Sequence, residues 1–463
     1  MSSSSSARSS RRTTTPSFRC TECGWAASKW VGRCGECQGW GTVSEVGAPL
    51  RTTTAGPVTS PAVPILDVDA EHAQARPTGV GEFDRVLGGG LVPGAVVLVA
   101  GEPGIGKSTL LLDVCGKAGR DGRRVLYVTG EESAAQVRLR AERIEAMART
   151  LYLAAETDLG AVLGHIEAVR PDLVVVDSVQ TIGSADVDGA AGNVAQVREV
   201  AAALIQMAKT RGIATLLVGH VTKDGSIAGP RLLEHLVDVV VQFEGERHSR
   251  LRMVRAVKNR YGPTDEVGCF DLSDVGIVGL ADPSGLFLSQ RDSAVPGTCV
   301  TVALEGRRPL VTEVQALVVP TSLPSPRRTT SGLDSSRVSM LMAVLQRRAG
   351  LPLQKYDTYV STVGGVRVTE PAADLAIALA VLSAGKDEPV PPGTVAMGEV
   401  GLAGEIRAVT GVPRRLAEAA RLGFRTAIVP RDALGSAPVP GDIRVVEAAD
   451  LSSALQSAMR HHA

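Results

Sequence analysis

A nine-residue segment that starts at position 101 has the residue types and spacing of a loop that binds nucleotide phosphates. Its members are Gly101, Glu102, Pro103, Gly104, Ile105, Gly106, Lys107, Ser108 and Thr109. In such loops the glycines let backbone N–H groups face phosphate oxygens, the lysine reaches the β- and γ-phosphates, and the next hydroxyl group binds Mg²⁺. The pattern predicts a site for ATP and Mg²⁺, in which Lys107 serves catalysis as well as binding. A chance glycine-rich loop is the alternative.

Two carboxylates further along the chain could complete a hydrolytic site. Asp177 ends the apolar run 173–176, where a buried strand would place it to hold Mg²⁺ through its water shell. Glu131 follows an earlier apolar run and is our candidate for orienting and deprotonating the attacking water. For Glu131, and for Glu132 beside it, the alternative is an exposed acid that complements a helix dipole. His220 ends another such run where a γ-phosphate sensor would lie, although a lone histidine is usually structural.

Four cysteines near the N-terminus form two Cys-x2-Cys pairs with ten residues between them: Cys20, Cys23, Cys34 and Cys37. This spacing allows four thiolates to close a tetrahedron around one Zn²⁺ ion. So short a module buries too little apolar surface to fold without such support. Because protein would fill all four positions, we expect the zinc to be structural. Disulfides, which a reducing cytoplasm disfavours, and a redox pair are the alternatives.

A basic cluster with an aromatic residue and a glycine follows the strand-like run 251–257. Its members are Lys258, Asn259, Arg260, Tyr261 and Gly262. Such a set could contact phosphate, either of a nucleotide or of a nucleic acid. A solvated turn is the alternative.

The elements that must position these residues follow an α/β pattern. Between 65 and 273, strand-length apolar runs alternate with longer helical patterns such as 193–210, as expected for a mainly parallel sheet buried on both faces. A second α/β segment begins near 299, and a loop rich in Pro, Ser, Arg and Thr interrupts it at 320–331. The predicted domains are a disordered tail (1–17), the zinc module (18–45), a linker (46–64), the ATPase domain (65–273), a connector (274–298) and the C-terminal domain (299–463).

Length and composition agree with several folded domains. The 463 residues exceed what one hydrophobic core usually serves, and 44% of them are hydrophobic. Lys+Arg and Asp+Glu both number 49, so any contact with nucleic acid must come from a local patch. The Ser- and Arg-rich start is not a secretory signal, and no apolar run is long enough to span a membrane. We therefore expect a cytoplasmic protein.

The order of these parts resembles the bacterial RadA (Sms) family. The resemblance rests on the cysteine spacing, the phosphate loop, the segments 129–133 and 175–181, and the basic pentapeptide 258–262, and it covers nearly the whole chain. It implies a RecA-like ATPase that forms a ring hexamer, binds single-stranded DNA, and drives branch migration of recombination intermediates with a RecA-type recombinase. It also makes Glu131 the hydrolytic base, and it assigns the pentapeptide to DNA contact or to the ATPase site of a neighbouring subunit.

The C-terminal segment is similar to the proteolytic domain of Lon protease, with two departures. Ala372 stands where Lon has its nucleophilic serine, and Pro413 lies in the segment where Lon has its catalytic lysine. A Ser–Lys dyad needs both a hydroxyl group and an amine, so we predict a scaffold without protease activity. The pairs Arg327-Arg328 and Arg414-Arg415 could contact DNA phosphates, although solvated arginines are the simpler interpretation.

Two other functions compete with a DNA motor. The first is a RecA-like signalling ATPase whose output is its oligomeric state; the zinc module and the basic pentapeptide disfavour it. The second is an ATP-dependent protease, which the missing dyad disfavours.

Overall fold

The computed structural model describes residues 18–45, 62–67, 74–220, 230–245, 250–283, 287–288 and 294–459. The chain divides into two compact units, Met1–Asp69 and Ala70–Ala463. The predicted tail and residues 46–61 of the predicted linker lie outside the described residues. Among the helices that are described, none is long and apolar enough to cross a membrane.

The cysteine module is a small antiparallel sheet whose strands are β1 (Phe18–Cys20), β2 (Ala26–Ala27) and β3 (Val43–Glu45), in the order β2-β1-β3. Its core contains little besides Cys20, Cys34 and Val43, with Phe18 and Trp25 packed against them. The other two tryptophans of the module are exposed: Trp30 by 64% and Trp40 by 76%. So small a core agrees with the expectation that a metal must stabilise this module.

The central domain is built on a nine-stranded sheet. Its strands are β4 (Val96–Gly101), β5 (Val125–Thr129), β6 (Leu151–Ala155), β7 (Leu173–Asp177), β8 (Ala214–His220), β9 (Val239–Glu244), β10 (Leu251–Asn259), β11 (Val267–Ser273) and β12 (Gly276–Gly279). The order is β12-β11-β10-β9-β4-β8-β7-β5-β6, with β9 to β6 parallel and β10 to β12 added in antiparallel fashion. Strands β4, β5 and β7 are buried along their whole length, which explains their uninterrupted runs of Val and Leu.

Helices cover both faces of this sheet. They are α1 (Gly81–Leu87), α2 (Lys107–Arg120), α3 (Ala134–Arg143), α4 (Leu159–Val169), α5 (Val194–Arg211) and α6 (Pro230–Leu236). Helices α1 to α3 share one hydrophobic cluster with the sheet, and α4 to α6 share the other. Ser133 starts α3 in a capping box with Gln136, which fixes where the chain after β5 turns into the helix.

Six of these strands match apolar runs of the sequence to within two residues at each end, and the helical pattern 193–210 corresponds to α5. The six runs are 95–100, 124–128, 173–176, 214–218, 237–243 and 251–257. Three strands have no sequence prediction: β6, β11 and β12. The sheet also continues to Gly279, past the domain boundary predicted at 273, because β12 pairs with β11.

The C-terminal domain has a seven-stranded sheet in the order β15-β16-β14-β13-β17-β20-β21 and a separate two-stranded one, β18-β19. The strands are β13 (Thr298–Glu305), β14 (Arg308–Pro320), β15 (Arg328–Ser331), β16 (Tyr356–Thr362), β17 (Thr394–Ala396), β18 (Glu399–Val400), β19 (Ile406–Arg407), β20 (Thr426–Pro430) and β21 (Arg444–Ala448). The helices are α7 (Ser335–Arg348), α8 (Asp374–Lys386), α9 (Val412–Arg421) and α10 (Leu451–Met459). Successive residues of a strand, such as Val302 and Ala303, enter different clusters, so α7, α8 and α10 cover one face and α9 covers the other.

A buried ion pair joins the central and C-terminal domains. Arg308 of β14 pairs with Glu82 of α1, and both side chains are at least 93% buried. The same guanidinium donates to the carbonyl oxygens of Leu280 and Ala281 at 2.8 Å each. Because breaking such a pair would leave a charge unpaired in the interior, these contacts hold the two domains together.

Candidate nucleotide site

The carboxyl ends of four parallel strands bring the predicted catalytic residues to one edge of the central sheet. Strand β4 ends at Gly101, β7 ends at Asp177 and β8 ends at His220, and Glu131 follows β5 by two residues. Ligands of open α/β sheets bind at this edge. The structure thus brings together residues that lie up to 119 positions apart in the sequence.

The phosphate loop runs directly from β4 into α2. Gly104 and Gly106 have φ angles of +78° and +112°, which suit glycine, and the first helical residue is Lys107. Lys107 is 97% buried, and its ammonium donates to the carbonyl oxygens of Gly101 at 2.7 Å and Glu102 at 2.8 Å. Burial lowers the pKa of Lys107 to about 8, although the nearby carboxylates of Asp177, Glu131 and Glu102 oppose the change.

The Glu131 carboxylate points into this site. Its Oε1 accepts a hydrogen bond from Ser178 Oγ at 2.7 Å and lies 2.9 Å from His220 Nε2. Partial burial disfavours its charge, but the hydrogen bonds with Ser178 and His220, together with the charges of His220 and Lys107, lower the pKa of Glu131 below that of an ordinary carboxyl. Glu132 instead forms an ion pair with Arg140 of α3. The two adjacent glutamates therefore have different surroundings, which the sequence alone left open.

A hydrogen bond from Tyr127 fixes the orientation of the Asp177 carboxylate. Asp177 is 93% buried, and the hydroxyl group of Tyr127, itself 99% buried, donates to its Oδ2 at 2.5 Å. Carboxylate and hydroxyl oxygens are donors that Mg²⁺ prefers, so Asp177 together with Ser108 at the start of α2 fits this ion.

His220 lies between the lysine and the glutamate. Its Nδ1 is 3.5 Å from Lys107 Nζ, and its Nε2 faces Glu131. Its backbone N–H and C=O both hydrogen bond to the side-chain amide of Gln180. Residues 221–223, which follow it in the sequence, lie outside the described residues.

The basic pentapeptide 258–262 lies toward the opposite edge of the sheet. Across the sheet, Asn259 of β10 pairs with Val239 of β9, and Val239 pairs with Val97 of β4. Val97 precedes Gly101 by four residues, which is about 13 Å along the strand. Lys258 and Asn259 bind main-chain carbonyl oxygens: those of Glu234 and Val237, and those of Val86 and Leu87, respectively. Arg260 is 57% exposed in its side chain and lies 3.4 Å from Asp238, and Tyr261 is 40% exposed.

The four cysteines converge as their spacing predicts. Their sulfur atoms all lie within 4.8 Å of one another; Cys20 and Cys37 are 3.7 Å apart, and Cys23 and Cys34 are 3.5 Å apart. A tetrahedron with Zn–S bonds of about 2.3 Å has edges of about 3.8 Å. The four sulfurs therefore fit one zinc ion, and they form the one candidate metal cluster of three or more ligands found among the described residues.

Comparison with known proteins agrees with this organisation. Three family models match: a rubredoxin metal-binding domain at residues 18–45, an AAA domain at 59–226, and subunit ChlI of Mg-chelatase at 351–433. The DNA repair protein RadA of Mycolicibacterium smegmatis is 56% identical over 454 residues, which cover 95% of this chain and 96% of that protein. The chain belongs to the RadA family of DNA repair proteins.

Other RadA proteins match nearly as fully. That of Mycobacterium tuberculosis is 54% identical over 95% of this chain and 92% of its own length, and that of Streptococcus pyogenes serotype M6 is 48% identical over 95% and 98%. A solved KaiC-like protein from Pyrococcus horikoshii aligns with 45% of this chain and 99% of its own at 21% identity, and its TM-score of 0.39 is too low to support a functional argument. RadA membership confirms the predicted family and fold class, a role in DNA repair, and an ATPase with an N-terminal zinc ribbon.

The prediction that the pair Arg414-Arg415 could contact DNA is wrong for Arg415. Arg415 is fully buried, and its guanidinium contacts both carboxylate oxygens of Glu370 at 2.6 Å and the carbonyl oxygen of Val302 at 2.5 Å. Arg415 packs inside the C-terminal domain and is therefore unable to contact DNA. Arg327 and Arg328, in contrast, are exposed.

Sequence reasoning missed three residues of the site: Tyr127, Ser178 and Gln180. A buried tyrosine in the middle of an apolar strand needs a hydrogen-bond partner, which was a usable signal for Tyr127. Ser178 and Gln180 belong to the segment 175–181 that carried the family resemblance, but their partners lie at least 40 positions away in the sequence.

The zinc ligands can be tested directly. We expect Cys20→Ser to reduce the zinc content of the full-length protein from about one ion per chain to near zero, because three thiolates hold zinc poorly. Residues 18–45 should then become sensitive to trypsin, since the module loses its main support. The measurements are elemental analysis and limited proteolysis. Cys115→Ala, at an isolated buried thiol, is the control, and equal zinc loss in both variants would contradict the assignment.

The lowered pKa of Lys107 predicts a pH dependence. Nucleotide phosphates bind the charged ammonium, so above a pKa of about 8 binding must take up a proton. We expect the dissociation constant of ADP, measured by calorimetry, to be constant just below pH 8 and to rise by up to about tenfold per pH unit above it. Lys107→Arg, whose side chain stays charged, should lack this rise. A flat profile in the wild type would contradict the prediction.

Proposed function

We propose that this RadA family member is a DNA-stimulated ATPase motor that promotes branch migration of recombination intermediates on single-stranded DNA. The observation that carries the ATPase part is the convergence of Lys107, Glu131 and Asp177 at one edge of the sheet. The DNA part rests on family membership and on the pentapeptide 258–262.

In the proposed mechanism, residues 101–109 bind the phosphates of ATP, and Asp177 and Ser108 hold Mg²⁺. When bound, the ion neutralises phosphate charge as the terminal phosphoryl group is transferred to water. Lys107 must leave the carbonyl oxygens of Gly101 and Glu102 to reach the phosphates, and the phosphate charge offsets the loss of these two hydrogen bonds. Glu131, ionised because its pKa is lowered, orients the water and accepts its proton.

The place of the pentapeptide supports a role outside the nucleotide site of its own chain. Lys258 and Asn259 fasten the end of β10 to neighbouring helices, while Arg260 and Tyr261 remain partly exposed at the edge opposite the phosphate loop. In a ring hexamer this edge could meet the nucleotide of the next subunit or the DNA. We therefore propose a ring of six copies, with a RecA-type recombinase and branched DNA as partners and the cytoplasm as location. The domain boundaries predicted from the sequence belong to this proposal, with the ATPase sheet extended to Gly279.

The test combines hydrolysis with strand exchange. We expect single-stranded DNA to increase the ATPase rate several-fold, and we expect the wild type to move a branched junction in a strand-exchange assay. Arg260→Ala should lose the stimulation by DNA. A retained basal rate would assign Arg260 to DNA contact, and a lost basal rate would assign it to the ATPase site of the next subunit. If no nucleic acid changes the rate of ATP hydrolysis, the DNA part of the proposal is wrong, and the signalling ATPase becomes the favoured function.

A further inference from the structure

In the turn after β7, the side chain of Gln180 makes the main-chain hydrogen bonds that a neighbouring strand would make. Pairing between β7 and β8 ends at Val176 and Leu217, and His220 lies three residues further along β8. There, Gln180 Nε2 donates to the carbonyl oxygen of His220 at 3.3 Å, and Gln180 Oε1 accepts from the His220 N–H at 3.2 Å. The primary amide thus binds both main-chain groups of one residue, as a neighbouring strand would.

This pairing determines where the imidazole of His220 lies. The ring is held from its backbone and reaches Glu131 Oε1 with Nε2 at 2.9 Å, while Nδ1 lies 3.5 Å from Lys107 Nζ. Ser178, in the same turn as Gln180 and fully buried, donates to the same Glu131 oxygen at 2.7 Å. One short turn therefore fixes Glu131 from two sides: directly through Ser178, and through His220 by way of Gln180.

We propose that Gln180 is a positioning residue for ATP hydrolysis, which fixes His220 and thereby the orientation of the Glu131 carboxylate. This inference rests on the proposed function, in which Glu131 activates the attacking water. A carboxylate that is 42% exposed has few other restraints, and a displacement of about 1 Å of such a group can cost about 10²-fold in rate. Gln180 acts on the rate of the chemical step and leaves nucleotide binding unchanged, because the phosphate loop is formed by other residues.

The test is a double-mutant cycle in the full-length protein. Gln180→Met keeps the length of the side chain but removes its amide, and we expect it to lower kcat about ten- to hundredfold. The affinity for ADP, measured by calorimetry, should change by less than about threefold. In the His220→Ala background, Gln180→Met should cause little further loss, because the two residues act as one unit. Gln206→Met, the same substitution at an exposed position of α5, is the control and should keep the wild-type kcat.

Several outcomes would overturn the inference. They are an unchanged kcat in Gln180→Met, additive losses in the double variant, or a loss of ADP affinity as large as the loss of kcat. Hydrogen exchange of the His220 amide provides a check that does not depend on activity: exchange should become faster in Gln180→Met, and unchanged protection would also overturn the proposal. Glu131→Gln separates this failure from that of the proposed function. If Glu131→Gln hydrolyses ATP normally, the proposed base is wrong; if it is inactive and the cycle is additive, only the role of Gln180 is wrong.

Discussion

Lys107→Ala is expected to reduce ATP hydrolysis by about 10²- to 10³-fold, the usual cost of losing a charged group that stabilises the transition state. The ammonium is the buried cation of the phosphate loop, and it lies close enough to Asp177 and Glu131 for their charges to act on its pKa. Its loss leaves the phosphate charge without this partner. Branch migration should stop with hydrolysis, because the motor would have no source of energy.

The Lys107→Ala variant should remain folded. Lys107 is 97% buried, and its ammonium is bound only by main-chain oxygens and His220 among its described partners, so burying its charge does not favour folding. Lys117→Ala is the matched control: it lies on the same helix α2, but its side chain is 36% exposed and pairs with Asp113. The measurements are steady-state phosphate release and thermal melting. Near-normal hydrolysis by Lys107→Ala, or an equal loss in Lys117→Ala, would contradict the prediction.

Glu131→Gln is expected to lower kcat by about 10²- to 10⁴-fold, the range for loss of a general base, with the affinity for ATP nearly unchanged. The amide has the shape of the carboxylate and can still accept a hydrogen bond from Ser178, so the site should keep its geometry. It is unable, however, to accept a proton from water. Single-turnover hydrolysis and calorimetric binding separate the two effects.

The adjacent residue Glu132 provides a closely matched control for this experiment. Glu132→Gln changes the same functional group one residue away, but that carboxylate pairs with Arg140 of α3. We expect its kcat to stay within about twofold of the wild type. If both variants lose activity equally, the difference in their surroundings has no catalytic meaning, and the assignment of Glu131 fails.

Local sequence patterns predicted the parts of this site that are contiguous in the chain. The phosphate loop and the cysteine pairs have their chemistry within a few residues, and β4 and β7 appear as apolar runs because they are buried on both faces. Strand β6 lies at the edge of the sheet, where half-exposed residues interrupt the apolar run, so no strand was predicted there.

The contacts that could not be predicted join distant segments. Gln180 and His220 are 40 positions apart, and Glu82 and Arg308 are 226 apart. Arg415 shows the same limit: an Arg-Arg pair in a sequence suggests a basic surface, but only the fold reveals that the pocket around Glu370 encloses the second arginine. Charge alone therefore does not separate a DNA contact from a buried ion pair.

The cysteine module has one more consequence, for spectroscopy. All three tryptophans of the 463-residue chain, Trp25, Trp30 and Trp40, belong to this module. Trp25 packs beside the cysteines, while the other two face solvent, with the Arg33 guanidinium 5.6 Å from the ring centre of Trp40. The intrinsic tryptophan emission of the intact protein therefore comes entirely from the zinc ribbon. This emission is a label-free signal for loss of the metal, or for binding of a partner that covers this surface. The ATPase and C-terminal domains add no tryptophan emission to it.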